Sequence, residues 1–181
     1  MANYNISWTP ATNGSTISQN VEYKKSVDST WTVSTNVSAV TNIAVINSLL
    51  DNVVYDFRVS SLCDFGGPSP SSPFSLIKFI CPTVTLSKTT NQVSYSFTHP
   101  GGSISSVTVD LLSSSSVVLQ TQTPAAGTPV TGVFNGLTPG TAYKVRVKLI
   151  AGSFNQTCSA QDITTDNLVC EAPTGLTATI A

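Results

Sequence analysis

Apolar and polar residues alternate in short runs along this chain. Tyr4, Ile6 and Trp8 fall on one side of such a run, with Asn5 and Ser7 between them. Val93, Tyr95 and Phe97 repeat the pattern further on. A period of two is that of a half-buried β-strand. Further short strands are predicted over residues 20–25, 31–37, 42–47, 107–112, 117–121 and 131–135. Turn-forming clusters separate them, such as residues 12–15, 100–102 and 124–127. No helical periodicity competes, so the expected class is all-β.

The chain matches itself when displaced. Residues 4–9 lie on 93–98 and Cys81 lies on Cys170, both at an offset of 89 (93 − 4 and 170 − 81). Residues 48–59 lie on 136–147 at an offset of 88 (136 − 48). A repeat of this length predicts two domains in series. The expected boundaries are 1–80, 81–169 and a tail of 170–181.

The segment Gly136, Leu137, Thr138, Pro139, Gly140, Thr141, Ala142, Tyr143 and the alternating residues after it resemble the corner before the sixth strand of fibronectin type III domains. The resemblance implies two tandem β-sandwiches. It gives Leu137 and Leu49 the role of plugging the core. It gives Tyr143 and Tyr55 a hydroxyl bonded back to the loop backbone. Val145 and Val147, with Phe57 and Val59, would line the core. Trp8 matches the tryptophan of the family's second strand, where the second unit has Phe97 instead. Leu50, Asp51 and Asn52 replace the Thr-Pro-Gly of the corner in the first unit, and Asp-Asn still turns a chain. The family serves as spacer and as binding module in many settings, so the resemblance speaks to fold far more than to function.

The same resemblance places the four cysteines. Cys81 and Cys158 would both sit at the top of the second sandwich, which implies a Cys81–Cys158 disulfide. Cys63 would end the sixth strand of the first sandwich, also at its top. Its implied partner is a cysteine just before that domain's first strand, and Cys170 stands in that position of the repeat. Two units in line put their far ends on the order of 50 Å apart, so Cys63 and Cys170 would pair between molecules. The alternative is four reduced thiols in a reducing compartment. Cysteines so placed resemble repeats common in Bacteroidetes surface proteins and their phages.

The first unit reads as lacking its first strand, while residues 170–181 read as a linker and then a first strand. Pro173, Leu176, Ala178 and Ile180 would form a donor strand, with the three apolar residues on one side by alternation. Tyr4, Ile6 and Trp8 would form the acceptor. The expected partners are therefore other copies of the chain, joined head to tail, with a capsid, tail or cell-surface protein as a further candidate. The competing reading is a slice of a longer tandem array.

Composition narrows the field. Charged residues make up 9% of the chain and the formal net charge is −1. The basic residues are scattered, which argues against nucleic acid as a partner. No apolar run approaches the roughly 20 residues needed to cross a bilayer, and no signal peptide is visible. The only histidine, His99, stands in a turn without a ligand cluster. No paired carboxylates, phosphate loop or nucleophile pattern stands out, so no cofactor, metal or catalytic activity is expected. Sequons at Asn5, Asn13, Asn36 and Asn155 are expected by chance in a chain so rich in Ser and Thr. The expectation is a non-enzymatic structural protein of an extracellular filament, appendage or virion surface. The alternative is an adhesion module that binds carbohydrate or a receptor from a larger surface protein. An accessory domain of an enzyme is a third reading.

Overall fold

The computed structural model describes residues 1–11, 15–170 and 174. Among them every regular element is a strand. The first sandwich holds β1 (Ala2–Ser7), β2 (Thr16–Lys25), β3 (Thr32–Ser38), β4 (Ile43–Leu49), β5 (Val54–Cys63), β6 (Ser69–Pro70) and β7 (Phe74–Ile77). The second holds β8 (Thr85–Lys88), β9 (Gln92–Phe97), β10 (Ser106–Ser113), β11 (Val118–Gln122), β12 (Val130–Asn135), β13 (Ala142–Ala151), β14 (Phe154–Thr157) and β15 (Gln161–Thr164). Contacts divide the chain into two compact units. One is Met1–Cys81 with Pro100–Val107 and Leu149–Gln156, and the other is built from the remaining residues.

In the first sandwich β1 pairs antiparallel with β4, and this sheet has two strands. The facing sheet runs β3-β2-β5, with β6 and β7 following one another along the far edge of β5. In the second sandwich the sheets are β12-β9-β8 and β11-β10-β13, with β14 and β15 beside β13. Among the described residues β9 has a strand on both edges and β1 on one.

The cause of the first core is the alternation along β1, where Ala2, Tyr4 and Ile6 are buried while Asn3, Asn5 and Ser7 are exposed. They pack on Ala44, Ile46 and Leu49 of β4 and on Val21, Tyr55 and Phe57 of the opposite sheet. The Tyr4 and Phe57 rings lie 5.1 Å apart. In the second core Val93, Tyr95, Phe97, Phe134, Val145 and Val147 are buried, and the Tyr95 and Phe134 rings lie 5.5 Å apart.

The two corners match in detail. The Tyr143 hydroxyl accepts from Thr138 N at 3.1 Å, and the Tyr55 hydroxyl accepts from Leu50 N at 3.2 Å. Gly136 and Gly140 take left-handed φ of 71° and 64°; Ser48 and Asn52, each 88 residues earlier, take 62° and 59°. The backbone path is therefore kept where the glycines are not.

A charged pair repeats too. Arg58 donates to Glu22 at 2.9 and 3.1 Å, and Ser60 Oγ also bonds Glu22. Arg146 donates to Asp110 at 2.8 Å, and Lys148 lies 2.9 Å from the same carboxylate. Burial disfavours both carboxylates, but these bonds outweigh it and hold both below the usual carboxylate range. The Arg58 guanidinium also stacks 4.2 Å from the Trp31 ring.

Candidate functional site: the open edge of the first sandwich

The free edge of β1 borders a groove of about 400 Å³. Ile6 and Trp8 line it from the β1 side, Val59 from β5, Ser71 and Phe74 from beside β5, and Gln19 from β2. It therefore opens between the two-stranded sheet and the β6–β7 edge of the facing sheet. In the second sandwich β8 runs along this edge, paired with β9 and lying against β15.

Local chemistry explains how each wall is held. Tyr4 is fixed from below, because its hydroxyl accepts from Lys78 N at 2.9 Å. Burial raises its phenol above the ordinary value, so it stays neutral at physiological pH. Trp8 lies one residue past β1, and its N donates to Asn42 O at 3.1 Å. Its indole N–H donates to Gln19 Oε1 at 2.6 Å. Trp8, expected in the core, packs against it and is half-buried. Phe74 rests on Phe57 at 5.7 Å with 42% of its surface exposed.

The expected acceptor residues Tyr4, Ile6 and Trp8 thus sit together along one strand and its exit. The donor residues Pro173, Leu176, Ala178 and Ile180 lie outside the described residues. Val59, Ser71 and Phe74 complete the groove, and sequence reasoning did not assign them to it. The signal was in the repeat: Tyr55 pairs with Leu76 as Tyr143 pairs with Ile163. Counting two residues back puts Phe74 where the second unit has Gln161, an apolar-for-polar exchange at an edge.

Cys81 and Cys158 form a disulfide. Cys158 N donates to Val147 O at 2.9 Å, and the first sandwich copies that bond with Ser71 N to Val59 O at 2.8 Å. Ser71 therefore holds the place of Cys158. Cys63 instead ends β5 at the place of Ala151, four residues past Val59, with its sulfur 4.0 Å from Thr16 Oγ1. Cys63 is half-buried, Cys170 is exposed, and neither is bridged within the chain. Among the described residues no group of three or more His, Cys, Asp or Glu could hold a metal ion.

No protein-family model matches the chain. No curated protein matches it either. Solved structures do. A two-domain fibronectin type III segment from chicken tenascin aligns with a TM-score of 0.61 at 14% identity, covering 90% of this chain and 92% of that one. The chicken CNTN1 FN1–FN3 domains align with a TM-score of 0.42 at 16% identity, covering 91% of this chain, which spans 63% of their length. The fold is that of two tandem fibronectin type III β-sandwiches.

Proposed function

We propose that this chain is a non-enzymatic structural protein that assembles head to tail by strand donation. A C-terminal strand of one copy would pair with β1 of the next. The observation that carries the reading is the β1 edge that no described strand covers, beside a groove holding Ile6, Trp8, Val59 and Phe74, at the place β8 fills in the second sandwich. An unpaired strand edge offers a row of free backbone donors and acceptors to any strand that reaches it. Strand addition takes strength from that row and register from alternate side chains. A head-to-tail join gives a filament when it stays open and a ring when it closes.

Cys63 and Cys170 of successive copies would then make the join covalent. The two thiols lose two protons and two electrons to a low-molecular-weight disulfide, which leaves as two thiols. A protein with a formed disulfide and thiols used in this way suits an oxidising, extracellular setting such as an appendage or virion surface. The test is size-exclusion chromatography, non-reducing electrophoresis and electron microscopy of the intact chain, with and without reductant. Oxidised protein is expected as a ladder and as strings or rings, and a variant lacking residues 170–181 as monomers. Intact oxidised chain that stays monomeric overturns the reading.

A second reading has one observation in its favour. Phe65, on the turn between β5 and β6, is 94% exposed and would suit an adhesive contact with a receptor or carbohydrate. Binding of the assembly-deficient variant to a glycan array, lost in Phe65→Ser, would favour that reading.

A further inference from the structure

The groove and the second sandwich together specify more than the fact of pairing. We infer that the donated strand takes the register in which Leu176 lies opposite Ile6, Ala178 opposite Tyr4 and Ile180 opposite Ala2 of the next copy. This rests on the strand-donation reading and names the alignment that reading leaves open.

The second sandwich supplies the pattern. Leu86 of β8 pairs with Tyr95 of β9, and Lys88 pairs with Val93. Ile6 and Tyr4 hold the equivalent places in β1, because the partners on the other edge also correspond. Ile6 faces Ala44 as Tyr95 faces Gly132, and Tyr4 faces Ile46 as Val93 faces Phe134. From Tyr4 to Ile6 the edge of β1 therefore presents its donors and acceptors in the phase that β9 presents to β8, while the β1–β4 register shifts between Tyr4 and Ala2. Counted from the cysteines at the repeat offset of 89, Gly175 would fall on Leu86 (86 + 89), so the tail needs one residue more before its apolar set, and alternation rather than the offset turns Leu176 inward.

Side-chain size fits the same alignment. Leu176 would enter the groove at Ile6, where Trp8, Val59 and Phe74 supply apolar contacts among polar residues such as Gln19 and Ser71. Ala178 would lie beside Tyr4, whose ring already packs on Phe57 and whose hydroxyl is tied to Lys78, so little room is left. Pro173 would lie opposite Thr9, past the end of β1, where its missing N–H removes no ladder bond. A slip of one residue would turn Gly175, Thr177 and Thr179 inward and expose the apolar set. Phe74, polar in its second-sandwich counterpart Gln161, is the residue that makes this groove selective for an aliphatic donor.

Cross-linking across the outer face reads the register directly. In the full chain carrying Cys63→Ser and Cys170→Ser, Thr177→Cys is combined in turn with Asn3→Cys, Asn5→Cys or Ser7→Cys. All three acceptor positions are exposed on β1. After mild oxidation with oxidised glutathione, the Asn5 and Thr177 pair is expected to give the strongest intermolecular ladder, several-fold above the others. A stronger ladder from the Asn3 or Ser7 pair, or equal ladders from all three, overturns the register. Absence of any ladder while the parent without added cysteines still assembles on size exclusion also overturns it. Absence of any ladder with a monomeric parent sinks strand donation itself.

Discussion

Ser48 carries a left-handed backbone that its repeat partner Gly136 adopts without a Cβ. For a residue with a Cβ this conformation costs about 1–2 kcal/mol. The Ser48 backbone N bonds to Asn3 Oδ1 at 3.3 Å, a contact that glycine would keep. Ser48→Gly is therefore expected to stabilise the first sandwich by about 1 kcal/mol, less the extra freedom glycine gains when unfolded. Asn52 has the same φ sign and the opposite expectation. Its Oδ1 accepts from Ile80 N at 2.7 Å, and removing the side chain strands a part-buried donor at about 1–3 kcal/mol. Asn52→Gly should lower stability although it relieves the same strain. Scanning calorimetry checks the pair, and both variants moving in the same direction would refute this division of roles.

At the scale of elements, the proposed assembly turns on the edge of β1 that no described strand covers. A Leu→Ala change in the donor removes roughly 2 kcal/mol of apolar burial, so Leu176→Ala should weaken assembly by about thirtyfold. Thr177→Ala, on the outer face, should move it by less than about 0.5 kcal/mol. Mass photometry across a dilution series separates the two, and equal effects would mean that alternation does not set the face. Much of this element pattern was legible in the sequence, because period-two runs and an 88–89-residue repeat survive without any three-dimensional information. Ile6 and Tyr95, Leu49 and Leu137, and Tyr55 and Tyr143 are matched pairs that packing only confirms. The groove was less legible, since Val59, Ser71 and Phe74 lie far from β1 in sequence and meet it only when the sheets stack. Trp8 packs against the core as expected, though its sequence position says nothing of how fully it is covered. The cysteines were legible through the family resemblance, since Cys63 ends the tyrosine strand and Cys81 is bonded to Cys158 as the resemblance implies.

At the scale of the whole molecule, the strand-donation proposal makes every copy a link with one donor end and one acceptor end. A variant that has lost only its donor is then a stopper. Leu176→Asp keeps β1, Trp8 and Phe74 intact, so under the proposal it can receive the strand of a neighbour, but it offers a charge to Trp8, Val59 and Phe74. Each such copy ends one chain. When one copy in ten is the stopper, open filaments should shorten to about ten copies on average, in inverse proportion to the dose. Rings respond differently, because one stopper prevents closure and leaves an open arc of the same order or shorter. Electron microscopy of mixtures prepared under reducing conditions, then oxidised, distinguishes filament from ring by whether length scales with dose or circles vanish. The converse variant, Phe74→Asp with an intact donor, should cap the opposite end with the same dose dependence. If neither variant changes the length distribution of the wild-type chain, the copies are not joined through this edge.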